Sequence, residues 1–239
     1  MAKRKLQDLL FLDIETAGQW EHFSQMPERF QALWNHKSKL LNPEADPAIW
    51  YREKGAIYAE FGRVVCISLG WLEKKEDTNS WEWKVSSISG ESEFEILDDF
   101  LKLLDSRPRI NNTVLCAHNG KEFDFPYLCR RMTIHALEIP ALLYYPGRKP
   151  WEVPHLDTME WWKFGDRKSY TSLETLAAVL DLPAPKQDMN GAMVHQAFYA
   201  GERERIQRYC ENDVRTTAEV FLHLIHRPVL TQEKAIFSN

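Results

Sequence analysis

The sequence predicts an α/β sandwich built on a mixed sheet, and three observations carry that expectation. Residues 7–16, QDLLFLDIET, form an apolar run closed by a pair of carboxylates, the pattern of a strand covered on both faces. RVVCISLGWLE (63–73) and SWEWKVSSISG (80–90) are rich in β-branched and aromatic residues, and the acidic stretch between them suits a hairpin turn. Beyond them, helical and strand patterns alternate, which is the order of a layered α/β fold.

The elements follow in turn. Residues 17–61, with Pro27, Pro43, Pro47 and scattered aromatics, lack a clean period and read as helices and loops inserted after the first strand. Ser92 is placed to cap a helix over EFEILDDFLKLLDS, where Phe94, Leu97, Phe100, Leu101 and Leu104 recur at helical spacing. TVLCAHN (113–119) is a short apolar strand, residues 125–138 a helix opening near Pro126, and VPHLDTM (153–159) a fifth strand. A helix at 172–181 and a connection through Pro183 and Pro185 lead into MNGAMVHQAFYAG. The last helix, about 203–226, puts Ile206, Cys210, Val214, Val220 and Leu224 on related faces and stops before Pro228. No internal repeat or long low-complexity linker interrupts the chain, so one domain spanning 1–239 is expected.

Composition narrows the function. With 239 residues and 44% hydrophobic side chains, the chain can bury a core without disulfides or structural metal. Cys66, Cys116, Cys129 and Cys210 lie far apart with no C-x-x-C pair, as expected of reduced thiols in a cytoplasmic protein. No uninterrupted apolar stretch of about 18 residues is present, and acids break the apolar N-terminal run, so neither a membrane span nor a signal peptide is expected. A net charge of −5 argues against a protein that coats nucleic acid through bulk charge. An enzyme that meets a polyanion only at a metal-filled cleft remains compatible, because its carboxylates add to the acidic count.

Three places hold chemistry. Asp13 and Glu15, two apart on a strand, leave the same face, where paired carboxylates repel unless a cation lies between them. Hard ions such as Mg²⁺ prefer oxygen ligands of this kind. The same spacing recurs at Glu91/Glu93, Glu93/Glu95 and Glu202/Glu204, in polar helical stretches where a solvated face explains it. Only Asp13 and Glu15 close an apolar strand, where unpartnered acids are costly. Asp124 stands where a loop meets a helix, and spacing alone favours an N-cap there. Tyr209 and Asp213, four apart, share the inward face of the last helix, and in isolation a simple hydrogen bond between them is the better explanation of the pair.

Taken together, FLDIET, NGKEFD and YCENDV, in that order, resemble the three motifs of the DEDD superfamily of 3′–5′ exonucleases. The N-x-x-x-F-D and Y-x-x-x-D forms resemble its Y-type branch, and most closely the exonuclease domain of family B DNA polymerases and the stand-alone bacterial exonucleases related to it. The H-type branch would place histidine where Arg208 stands. The resemblance spans about residues 8–221 and leaves no room for palm, fingers or thumb; the 17–61 insertion has no assigned counterpart.

The resemblance implies a ribonuclease H-like three-layer sandwich with a mixed five-stranded sheet. It makes Asp13, Glu15, Asp124 and Asp213 ligands of two divalent ions, Mg²⁺ or Mn²⁺, and makes Tyr209 the residue orienting the attacking water. Two cations about 4 Å apart would activate the water and stabilise the leaving 3′-oxygen. Thr16 and Ala17 would recognise the terminal ribose, and Asn119 would line the strand, with Phe123 in the core. The implied partner is a single-stranded DNA 3′ end, with nucleoside 5′-monophosphates as products. Rival readings are an exoribonuclease with the same core and an inactive nucleic-acid-binding module. Protein partners are not specified.

Residues 145–170 add Trp151, Trp161, Trp162, Phe164 and two tyrosines among five basic residues, a composition that can stack bases or simply pack a core. Arg148, Lys149, Lys168 and Lys186 are candidate phosphate contacts. Asp157 is expected to be structural, and His118 and His155 to serve as hydrogen-bonding residues.

Overall fold

The first strand, β1 (Leu9–Gly18), is buried almost throughout, so its two faces must each be covered. The structure, a computed structural model, describes residues 5–75, 80–107, 110–166, 170–182, 188–227 and 230. β1 lies at the centre of a five-stranded sheet with β2 (Gly62–Lys74), β3 (Trp81–Ser89), β4 (Val114–Ala117) and β5 (Leu156–Asp157), in the order β3-β2-β1-β4-β5. β2 runs antiparallel to both β1 and β3, whereas β4 is parallel to β1 and β5 to β4. The mixed sheet expected from the sequence is therefore present, with the ribonuclease H-like strand order.

The two-residue repeat of β1 sorts its side chains between two layers. Leu10, Leu12 and Ile14 face α3 (Glu93–Ser106) and α4 (Asp124–Ile134), packing with Ile96, Leu97, Phe100, Leu128 and Met132. Leu9 and Phe11 face α8 (Arg203–Leu224), against Val214, Ala218 and Phe221, and further along Ala17 meets Ile206 and Cys210. Asp13 and Glu15 share this second parity, so the fold aims both acids at α8.

Several boundaries differ from expectation. The fifth strand is only two residues long, because Asp157 ends it by accepting from the N–H groups of Met159 and Glu160 and so caps the short α5 (Thr158–Trp162). Phe94 is exposed although it belongs to the apolar repeat of α3. The solvated-face reading of Glu93 is also corrected: it is buried against Arg131 and His135. The expected turn between β2 and β3 falls partly at 76–79, outside the described residues.

The segment after β1 carries α1 (Glu28–Leu41) and α2 (Pro47–Lys54), which gather Met26, Trp34, Tyr51 and Phe61 into an aromatic cluster of their own. Its start is tied by a bond within the segment, and its end is fastened to α4. The Tyr51 hydroxyl accepts from the Trp20 N–H at 2.9 Å, and the Tyr127 hydroxyl and Arg131 Nη1 each donate, at 2.8 Å, to the carbonyls of Ala56 and Ala59. Two further helices, α6 (Leu173–Val179) and α7 (Val194–Tyr199), pack beside α8.

Candidate active site

β1 outruns its parallel neighbour. β4 pairs only with Leu9–Phe11, so among the described residues the C-terminal half of β1 has no strand on that side. The NGKEFD loop fills part of the gap. Asn119 adopts a left-handed conformation (φ 64°), and Gly120 lies so close to Ala117 that a Cβ there would sit 2.3 Å from the alanine methyl. This tight return brings Asp124 to β1, where its Oδ1 accepts from the Ile14 N–H at 3.2 Å. The N-cap expectation for Asp124 is thereby corrected: Phe123 holds the cap position, and the acid, first residue of α4, reaches across the sheet. Phe123 packs against the core, as expected.

α8 supplies the opposite wall. Tyr209 and Asp213 are one helical turn apart, and the hydroxyl hydrogen-bonds the Asp213 carboxylate. Between them, Cys210 is fully buried and donates its thiol to both the carbonyl and Oδ2 of Asp13 at 3.4 Å. Ligand atoms of Asp13, Glu15 and Cys210 all lie within 4.8 Å of one another. A cleft of about 850 Å³ opens beside Asp13, Tyr209 and Asp213, with His118, Tyr170 and Thr216 among its other walls.

The electrostatics are those of an acid cluster taken out of water. Burial, then the charges of Asp124 and Asp213, push the Asp13 carboxyl well above its usual range, and burial followed by Asp13 does the same to Glu15. Asp124 is raised to about 7, first by burial; N–H hydrogen bonds from its own backbone and Ile14 oppose the rise, and the charges of Asp157 and Asp213 add to it. Burial and then Asp213, Glu15 and Asp13 push the Tyr209 phenol far upward, so it stays protonated. Burial does likewise for the Cys210 thiol, which remains a neutral donor.

The fold thus brings together Asp13, Glu15, Asp124, Tyr209 and Asp213, while Thr16 and Ala17 follow Glu15 on the same strand. Asn119 lies at the end of β4, where its N–H donates to Asp157 Oδ1 at 3.0 Å and its buried Oδ1 has no partner among the described residues. Arg148 and Lys149 are exposed; Lys168 and Lys186 fall outside the described residues. Asp157 binds backbone N–H groups, His118 bonds Thr158 and Thr171, and His155 bonds Leu115 and Leu142, all structural roles as expected. Trp161 and Trp162 pack against the core, whereas Trp151 stands exposed. The sequence reading missed the Cys210 contact with Asp13; the signal was its inward position beside Tyr209.

The sequence model of a family described as "predicted 3′-5′ exonuclease related to the exonuclease domain of PolB" matches residues 57–235. That range includes Asp124, Tyr209 and Asp213 but begins after Asp13 and Glu15. The chain is similar in structure to the family B DNA polymerase of the hyperthermophilic archaeon Pyrobaculum calidifontis, with a TM-score of 0.52 and 16% sequence identity. The match covers 91% of this chain and 24% of the polymerase, so the likeness is one of fold and of only part of that protein. No curated protein matches the chain.

Proposed function

The chain belongs to the family of predicted 3′–5′ exonucleases related to the exonuclease domain of PolB, and on that premise we propose that it shortens single-stranded DNA from the 3′ end, releasing nucleoside 5′-monophosphates. The observation that carries this reading is the convergence of Asp13, Glu15, Asp124 and Asp213 beside one cleft, where burial and the neighbouring acids raise the carboxyls of Asp13, Glu15 and Asp124 above their usual range.

The residues fit hard divalent cations. They offer carboxylate oxygens whose repulsion a cation relieves, and the thiol among them is held neutral, so the donor set favours Mg²⁺ or Mn²⁺ over a thiophilic metal. Asp13, Glu15, Asp124 and Asp213 would hold two such ions. When bound, the ions lower the pKa of a water and stabilise charge on the leaving 3′-oxygen.

The remaining work falls to the chain. Tyr209 keeps its proton, so its hydroxyl can hold a water in line with the scissile phosphorus without itself becoming a base. Attack by that water breaks the bond from phosphorus to the 3′-oxygen, which leaves with a proton, while the water's proton passes to solvent. By the two-residue strand repeat, the Thr16 N–H leaves β1 on the same edge as that of Ile14, where it can hold the terminal nucleotide, whereas the Ala17 backbone turns to the opposite edge, toward β2. The unpartnered Asn119 Oδ1 offers an acceptor to the strand.

The test is digestion of a 5′-labelled single-stranded DNA oligomer with Mg²⁺ or Mn²⁺, beside EDTA and Asp13→Ala. A ladder shortening from the 3′ end is expected, with both controls silent and turnover reduced on the order of a thousandfold or more in the variant. Faster turnover of matched RNA would reassign the substrate. Absence of cleavage on either polymer would leave a binding module.

A further inference from the structure

Five large aromatic side chains stand exposed among the described residues: Phe94, Tyr144, Trp151, Phe164 and Tyr170. Four of them lie within residues 144–170, at exposures of 59%, 68%, 85% and 71% in chain order. Phe164 is also held at φ 43°, a left-handed conformation unusual for a bulky residue. Clustered exposed aromatics mark an interaction surface more often than scattered ones do.

Two cavities beside this surface approach the carboxylate cleft. One of about 590 Å³ is walled by Trp151, Lys163 and Gly165 and reaches Asn119, whose chain neighbour His118 lines the carboxylate cleft. A second, of about 420 Å³, holds Tyr144, Arg130 and Arg148 and shares Lys121 and Pro150 with the first. Tyr170 stands at the cleft itself. Each cavity has the size of a small-ligand site, and the shared walls of the two make one trench whose end at Asn119 is one residue along the chain from His118 of the carboxylate cleft.

Chemistry selects the occupant. Lys149 Nζ sits 5.2 Å from the centroid of the Trp151 ring, covering one face of an indole whose exposure leaves the rest open. Glu122, Glu160 and Asp166 line the middle of the trench, and Glu160 engages Lys121 at 2.6 Å, so that stretch repels phosphates and suits bases. The cations Arg130 and Arg148 gather at the far end. Aromatic faces followed by basic groups fit a strand with splayed bases, and a duplex keeps its bases stacked inside.

We propose that residues 144–166 form a stacking track for the unpaired DNA upstream of the 3′ end, with Trp151 and Tyr144 taking bases and Arg148 and Lys149 taking phosphates. The track rests on the exonuclease reading only for the polarity of the strand.

Anisotropy of a 5′-labelled 20-mer and a trimer, measured in EDTA, tests it without cleavage. Trp151→Ala is expected to loosen the 20-mer about tenfold, the weight of one base stack, and to move the trimer less than about twofold. Trp151→Phe restores most of the loss. Arg148→Gln lowers the salt dependence of binding by about 0.7 in log–log slope. Phe94→Ala, on α3 away from the trench, changes neither oligomer. Equal loosening of 20-mer and trimer, equal binding of a blunt duplex, or failure of the unaltered protein to bind the 20-mer overturns the track. Binding that depends on Trp151 in a protein that shows no cleavage with any metal keeps the track and removes the nuclease reading.

Discussion

Glu93, at the start of α3, and Asp13, on β1, are both acids set against the same sheet, and their surroundings are opposite. Glu93 accepts from the Val64 N–H at 2.7 Å, from Arg131 Nε at 2.8 Å and Nη2 at 2.5 Å, and from His135 Nε2 at 2.8 Å. Burial opposes its ionisation, yet Arg131, His135 and that N–H together hold its carboxyl below the usual range. Asp13 receives a thiol hydrogen bond from Cys210 and otherwise meets further acids, and its carboxyl is held above that range. Where the chain supplies the countercharge, a buried acid is scaffold. Where it supplies more acids, the countercharge must come from outside, which is the mark of a site.

The contrast can be broken at its structural half first. Glu93→Gln leaves the Arg131 guanidinium buried against a neutral amide and is expected to cost about 3–5 kcal/mol of stability in urea unfolding. The divalent-ion dependence of what remains folded should not move. If the loss is under about 1 kcal/mol, the network is not holding α3, α4 and β2 together.

The second prediction sharpens the comparison with pH. A carboxyl raised in the folded state, as Asp124 is to about 7, adds stability that is full below the unfolded pKa near 4 and is lost as pH rises through the folded value. Glu93, lowered in the fold, behaves inversely: its contribution is present above that unfolded value and disappears as pH falls through its folded one. Metal-free protein should therefore melt several degrees lower at pH 8 than at pH 5, and Mg²⁺ or Mn²⁺ should recover the difference at pH 8. Asp124→Asn should flatten the slope. A flat profile in the unaltered protein would mean the acids are not forced together.

The smallest effect belongs to Tyr209→Phe. Removing a hydroxyl that only orients water should lower turnover roughly tenfold while leaving calorimetric Mn²⁺ affinity unchanged. Lost affinity would instead place the hydroxyl in the ion site.

Much of this was legible in the sequence because the relevant signals are local. The apolar run of β1, the alternation of β3 and the periodicity of α3 and α8 each reflect burial along one element, and Asp13, Glu15 and Asp213 lie within two of those elements. What escaped reading depends on distant partners. Glu93 looks solvated until Arg131 arrives from 38 residues away, and Asp124 looks like an N-cap until Ile14 arrives from 110 away. The two-residue β5 is set by the capping side chain of Asp157, which no strand period announces. The aromatic cluster of the segment after β1 pairs residues such as Trp34 and Phe61 across irregular chain, so no single window shows it.

The short reach of β4 has a consequence for solubility. A central strand that outruns its neighbour presents the kind of bare edge to which another chain's strand can add. Here the edge is closed by side chains: Asp124 takes the Ile14 N–H, and His195 Nδ1 takes the Gly18 N–H at 3.0 Å. The loop that delivers an acid to the cleft is therefore also a guard against edge-to-edge aggregation. Substitutions that loosen it should be screened for self-association before any loss of activity is assigned to chemistry.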